Sequence, residues 1–89
     1  MKIKDGFVVE RVGSQYLAVA VGERADEFNA LVRMNETGAF IFGLLEKKEL
    51  NEDGIVAAML DEYDVPRALA EKDVSAFVEK LRKAGLLDE

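Results

Sequence analysis

The amino-acid sequence predicts an α+β fold in which three antiparallel strands are followed by three helices. Apolar residues alternate before Asn35, as in half-buried strands, and recur every three or four residues after it, as in helices. Asn35 is itself a preferred helix N-cap, because its amide oxygen accepts unpaired N–H groups of the first turn. The length of 89 residues suits one modest core, so we expect a single domain over residues 1–89.

Three segments before Asn35 predict the sheet. The expected strands are residues 7–12, 16–22 and 28–34. The short connection that contains Gly13 is typical of a hairpin between the first two strands. In the third segment, Leu31 and Arg33 lie on the face opposite to Val32 and Met34. We expect this third strand at an edge of the sheet.

Three segments after Asn35 have helical spacing. The expected helices are residues 36–48, 51–63 and 66–84. Asn51 is a second N-cap residue, Pro66 is tolerated in a first helical turn, and Gly85 is a natural left-handed C-cap. Leu86 and Leu87 are expected to fold back onto the core. The apolar stripes of the helices predict that this core contains Phe40, Leu44, Met59, Leu60, Val74, Phe77 and Leu81.

The composition excludes several classes of functional site. Without cysteine the chain cannot form a disulfide or a thiolate metal site, and without histidine it lacks the usual zinc ligand and neutral-pH base. The sequence contains no nucleophile–base pair, phosphate-binding loop or spaced acidic metal loop. We therefore expect no enzymatic activity, no metal and no cofactor.

Charge and hydropathy limit the partners. The net charge of −6 disfavours bulk binding to nucleic acid, although residues 66–84 carry a local excess of basic residues that an acidic partner would prefer. The apolar runs are far shorter than the about 20 residues that cross a bilayer. The N-terminal residues do not resemble a signal peptide, because no apolar stretch follows Lys2 and Lys4. We expect a cytoplasmic protein with no membrane partner.

Two runs of residues, at their spacing, resemble the PqqD-like proteins. The first run is Leu-Val-Arg-Met-Asn-Glu-Thr-Gly-Ala-Phe over residues 31–40, and the second is Asp-Val-Ser-Ala-Phe-Val-Glu-Lys-Leu-Arg-Lys-Ala-Gly-Leu-Leu over residues 73–87. The resemblance extends from Gly6 to Leu87. It implies a winged helix-turn-helix fold and a role as a recognition element for ribosomally synthesised, post-translationally modified peptides.

The resemblance also implies partners and a binding mode. In that family the domain binds the leader part of a precursor peptide and delivers it to a modifying enzyme, often a radical S-adenosylmethionine enzyme. The leader is held as an added strand in a groove between the third strand and the third helix. An edge strand suits this role, because its unpaired N–H and C=O groups can bond to an extended peptide. The expected peptide-binding residues are Ala30, Leu31, Val32, Arg33, Met34, Leu69, Asp73, Ala76, Phe77 and Lys80.

Structural roles compete with binding roles at several positions. We expect Asn35 to act mainly as a cap, Phe77 to belong more to the core than to the groove, and Lys80 to belong to a solvated helix end. Leu31 fits a groove or a packing contact equally well. An exposed third-strand edge also permits a homodimer by strand pairing. A winged-helix DNA-binding regulator, with its last helix in the major groove, is the alternative function.

Overall fold

The computed structural model describes residues 1–23, 25 and 32–89 of the chain. The strands of these residues are β1 (Lys2–Ile3), β2 (Phe7–Val12), β3 (Gln15–Ala20), β4 (Val32–Met34) and β5 (Leu87–Asp88). The helices are α1 (Glu36–Lys47), α2 (Glu52–Glu62) and α3 (Arg67–Ala84). Strands β2, β3 and β4 form one antiparallel sheet, and the three helices follow it, which confirms the predicted α+β fold.

The sheet has the order β2–β3–β4, so the third predicted strand lies at an edge, as expected. Val12 pairs with Gln15, which leaves Gly13 and Ser14 as a two-residue hairpin turn. Gly13 has a φ of 64°, and no described non-glycine residue has a positive φ. This combination is the type II′ turn, whose twist matches that of the flanking strands. Residues 28–31 of the third predicted strand lie outside the described residues.

Helix boundaries differ from the predicted ones by about one residue, because the capping residues lie outside the helices. The Asn35 and Asn51 side-chain oxygens accept hydrogen bonds from the Gly38 and Gly54 amides at 2.9 and 2.8 Å. Helix α3 begins after Pro66 and ends at Ala84, and Gly85 follows it with a φ of 81° as the left-handed cap. Both predicted N-caps and the predicted C-cap are confirmed.

A second, two-stranded sheet was not predicted. Strands β1 and β5 pair antiparallel, with Lys2 opposite Asp88 and Ile3 opposite Leu87. Strands of two residues are too short to show an alternating pattern, so the sequence gives no signal for them. Leu87 of this pair and Leu86 before it are buried, which confirms that the segment after Gly85 folds back onto the core.

The core lies between the helices and the face of the sheet that carries Ala18, Val32 and Met34. Of the predicted core residues, Met59, Val74 and Leu81 are buried. Phe40, Leu60 and Phe77 are only partly buried and pack against this core, and Leu44 is also only partly buried, so the expectation of full burial was wrong for these four. Helix α1 instead buries Ile41, Phe42 and Leu45. Apolar residues occupy most of the circumference of α1, so their spacing alone cannot select the buried face.

Candidate functional site

A groove of about 300 Å³ opens between β4, the first turn of α1 and the middle of α3. It lies where the predicted peptide-binding strand and helix approach each other. The groove is lined by Arg33, Met34, Asn35, Thr37, Gly38, Ile41, Asp73, Ala76, Phe77 and Lys80.

The strand wall of the groove presents backbone groups rather than a row of side chains. The Val32 and Met34 side chains are 3% and 4% exposed, because both point into the core. Val12 and Gln15 flank the hairpin turn and form a hydrogen-bonded pair. Because hydrogen-bonded and non-hydrogen-bonded pairs alternate along antiparallel strands, the backbone N–H and C=O of Tyr16 point toward β4. Met34 is the residue opposite Tyr16, and its N–H and C=O therefore bond to β3.

Arg33 occupies the alternate position, and its backbone N–H and C=O point away from β3 toward the open edge. Lys80 reaches this edge from α3, and its ammonium Nζ donates a hydrogen bond to the Arg33 carbonyl oxygen. The Lys80 side chain is therefore bonded to the same carbonyl oxygen that would accept a hydrogen bond from an added strand. Lysine at a sheet edge is a common device against unwanted strand pairing.

The floor of the groove depends on a close approach between α1 and α3. A Cβ atom at Gly38 would lie 3.0 Å from the Phe77 ring and 3.2 Å from the Met34 Cβ. Glycine at this position therefore lets the Phe77 ring rest against the backbone of α1. Phe77 is only partly buried, so one side of its ring packs on the core while the ring also lines the groove.

The cap of α1 forms the end of the groove. The Asn35 side-chain oxygen accepts hydrogen bonds from the Gly38 amide and from the Thr37 hydroxyl, both at 2.9 Å. Its backbone carbonyl accepts from the Ala39 amide at 2.9 Å. These bonds satisfy first-turn donors, as the sequence predicts, and they fix the direction in which α1 leaves β4.

Charged side chains surround the apolar floor. Lys80 supplies one cation and Asp73 one carboxylate, whereas the Arg33 side chain points to the face of the sheet opposite to Met34 and adds only its backbone to the lining. In the described part of the chain, none of the three takes part in an ion pair. The groove therefore combines an apolar floor with exposed charged side chains at its rim.

The ion pairs of α3 lie on the opposite side of the helix from the groove. Arg82 follows Lys80 by two residues, which is about 200° around a helix. Arg82 donates hydrogen bonds to Glu89 at 2.8 and 3.0 Å and to Glu79 at 3.0 Å. These bonds raise the pKa of Arg82, and the bond from Arg82 lowers the pKa of Glu89. The Arg82–Glu89 bonds connect the C-terminal segment to α3, and neither residue lines the groove.

The structure brings together most of the predicted site. Arg33, Met34, Asp73, Ala76, Phe77 and Lys80 line the groove. Val32 lies behind the groove in the core, and Leu69 is 46% exposed on α3 beyond the groove lining. The predictions for Ala30 and Leu31 fall on residues outside the described ranges.

Four residues of the lining are not among the predicted binding residues: Asn35, which is predicted mainly as a cap, and Thr37, Gly38 and Ile41. Thr37 and Gly38 belong to the first turn after the Asn35 cap, and Ile41 is one turn further along the same face. The signal that could have found them was the cap itself, because it fixes the first turn of α1 beside the end of β4. Sequence reasoning assigned the groove to one strand and one helix, whereas α1 supplies its floor.

The described ranges contain neither a metal-ligand cluster nor a membrane-spanning helix. No group of three or more acidic residues there could hold a metal ion. No helix within the same ranges combines the length and apolar character needed to cross a membrane.

Comparisons with known proteins bear on the fold and on the family. Two solved structures share the fold. TbiB1 in complex with the TbiA(beta) leader peptide is 26% identical, with a TM-score of 0.72 over 99% of this chain and 95% of that chain. Lasso peptide synthetase B1 complexed with the leader peptide is 22% identical, with a TM-score of 0.66 over 96% and 93%. Among curated proteins, no sequence matches the chain. The family described as coenzyme PQQ synthesis protein D matches residues 9–87, and the chain therefore belongs to the PqqD family.

Proposed function

We propose that this chain binds the leader segment of a ribosomally synthesised precursor peptide and presents it to a peptide-modifying enzyme. The observation that carries the proposal is the groove, which combines an open backbone edge at Arg33 with the exposed wall of α3. Family membership and the similarity to TbiB1, a protein solved with a leader peptide, support the same function. The chain acts as a binding module and leaves the chemistry to its partner.

In the proposed complex the leader adds antiparallel to β4, as an extra strand of the sheet. Its backbone pairs with the outward N–H and C=O of Arg33, while the buried side chains of Val32 and Met34 anchor β4 from behind. We also propose Ala30 and Leu31 as contacts of the leader. The leader side chains that face α3 would meet Phe77 and the neighbouring residues Asp73, Ala76 and Lys80, with Leu69 beyond them.

Binding in this mode requires that the Arg33 carbonyl oxygen exchange one hydrogen-bond donor for another. The Arg33 carbonyl oxygen accepts a hydrogen bond from Lys80 in the free chain, and an N–H of the leader would replace that donor. The released ammonium can then pair with an acidic side chain of the leader. Such a carboxylate would compensate for the lost bond, so we expect acidic leaders to bind more tightly than neutral ones.

We further propose the finer features that the family resemblance suggests. The modifying enzyme is a radical S-adenosylmethionine enzyme, and residues 1–89 form one peptide-recognition domain. Precursor peptides are made by ribosomes, so the proposed function implies a cytoplasmic location. A homodimer through the β4 edge would occupy the same backbone groups as the leader, and the two modes of pairing would therefore compete.

The experiment that tests the function compares two labelled ligands by fluorescence anisotropy. One is the leader of a short precursor encoded beside the gene, and the other is a duplex DNA. We expect saturable binding of the leader and only weak, salt-sensitive binding of the DNA, because the net charge is −6. Tight binding of the duplex without leader binding would support the winged-helix regulator instead.

A further inference from the structure

The sheet has a second face, which the described helices leave uncovered. Residues that pair across antiparallel strands share a face, and Ala18 and Ala20 of β3 face the core. Leu17, Val19 and Val21 therefore point to the other side. Val8 and Val12 of β2 lie on that side too, and they are 42% and 58% exposed. We call this surface the outer face, defined by Val8, Glu10, Val12, Leu17, Val19, Val21 and Arg33.

One row of the outer face carries opposite charges at its two ends. The register sets Glu10 of β2 opposite Leu17 of β3, and Leu17 opposite Arg33 of β4. The two charged residues are thus separated by two strand spacings, about 10 Å. Both are exposed, and in the described part of the chain neither side chain has an ion-pair partner. The row is apolar at its centre, acidic at one end and basic at the other.

This pattern is complementary to itself. A second copy related by a two-fold axis parallel to the strands, above Leu17, would lay its β2 over β4 and its β4 over β2. Glu10 of each copy would then face Arg33 of the other, with Leu17 against Leu17. A two-fold axis running across the strands would instead stack β2 on β2 and bring like charges together. The charges therefore select one face-to-face arrangement.

We propose that two copies of this chain associate through their outer faces, with Glu10 of each copy paired to Arg33 of the other. The surface measures about 15 by 20 Å, from three strands of up to six residues. That is smaller than the about 800 Å² per partner of a standard interface, so the dimer is weak and its population rises with concentration. The proposal goes beyond peptide binding and leaves the open β4 edge facing away from the partner copy.

Sedimentation velocity of the free chain tests this association, from about 10 μM to about 1 mM. We expect a monomer–dimer equilibrium for the unaltered chain. Glu10→Arg and Arg33→Glu should each raise the dimer Kd by at least about tenfold, because each turns two attractive contacts into repulsive ones. The double variant Glu10→Arg/Arg33→Glu should return the Kd to within about threefold of the original.

Two controls separate this interface from other causes. Asp61→Arg makes the same change in charge at an exposed site on α2 and should leave the Kd unaltered. Salt should weaken the unaltered dimer, since its charge pairs are screened. Thermal unfolding should show that every variant keeps its fold, because the altered side chains are exposed.

Three results would overturn the proposal. A chain that stays monomeric to about 1 mM would leave the outer face to a different protein. If neither Glu10→Arg nor Arg33→Glu raises the dimer Kd, then the dimer uses another surface, such as the β4 edge. Failure of the double variant to restore the dimer would show that Glu10 and Arg33 do not face each other. The first and third results have no bearing on leader binding in the groove, whereas a dimer through the β4 edge would compete with the leader.

Discussion

Single residues determine whether the groove exists, and the glycines of α1 illustrate this. Gly38 and Gly43 occupy the same helix and have the same low helix propensity. A Cβ at Gly38 would press on the Phe77 ring at 3.0 Å, whereas a Cβ at Gly43 would meet no atom within 4 Å. Only Gly38 is therefore required by packing. The sequence shows both glycines but not which of them faces α3.

The first prediction compares alanine at these two glycines. Gly43→Ala should raise the free energy of unfolding by about 0.5–1 kcal/mol, the usual gain from replacing glycine inside a helix. Gly38→Ala should lose that gain, because the Phe77 ring must move, and it should also weaken leader binding. Urea titration and anisotropy measure the two effects. Equal stabilisation by both substitutions, with unchanged binding, would contradict the close contact at Gly38.

The second prediction concerns the charge of Lys80. Lys80→Glu should leave the fold intact and weaken the binding of an acidic leader about fivefold at low salt, the effect of about 1 kcal/mol from one exposed charge pair. The loss should shrink as salt rises. Lys47→Glu, an equal change in charge at the far end of α1, is the control for the anisotropy titrations. A comparable loss in the control would mean that net charge rather than Lys80 sets the affinity.

At the scale of elements, the sequence predicts the order and type of the main strands and helices well. The reason is that two strong caps, Asn35 and Asn51, and one strong terminator, Gly85, mark the boundaries. The sequence predicts the buried face of α1 poorly, because its large apolar side chains spread over more than half of the helix circumference. These are Phe40, Ile41, Phe42, Leu44 and Leu45. The β1–β5 pair escapes prediction altogether, since tertiary contacts rather than local pattern create it.

The third prediction tests which face of α1 is buried. Leu45 is fully buried, whereas Leu44 is only partly buried. Leu45→Ala should lower the free energy of unfolding by about 2–5 kcal/mol, as expected for a truncated core leucine. Leu44→Ala should cost clearly less in the same urea titration. A larger loss at Leu44 than at Leu45 would place the core on the other side of α1.

The fourth prediction tests the orientation of β4. Arg33→Pro removes an N–H that points to the open edge, so the fold should survive while leader affinity falls about two- to tenfold, the effect of one lost hydrogen bond. Val32→Pro removes an N–H that faces Ala18 of β3, and it should destabilise the sheet itself. Circular dichroism and anisotropy separate the two outcomes. If Val32→Pro folds and Arg33→Pro does not, then the Arg33 N–H faces β3 and the Val32 N–H faces the open edge, contrary to the assigned register.

At the scale of the whole molecule, the chain presents two separate surfaces on one small core. The groove lies between β4, α1 and α3, and the outer face lies on the far side of the sheet. Sequence resemblance led to the strand and helix of the groove, since both belong to the PqqD-like pattern. It did not lead to the α1 floor or to the Glu10–Leu17–Arg33 row, because these depend on how elements meet in space.

The central claim, that a leader peptide lies along β4 against α3, is tested most directly by mapping amide shifts. Isotope-labelled protein is titrated with its cognate leader, and the shift of every backbone amide is followed. We expect the largest changes at Val32–Met34 and along α3 from Asp73 to Lys80, with the Arg33 and Lys80 amides among them. Changes concentrated on Phe7–Val12 or on α2, with the β4 edge and the Asp73–Lys80 wall unaffected, would contradict the account.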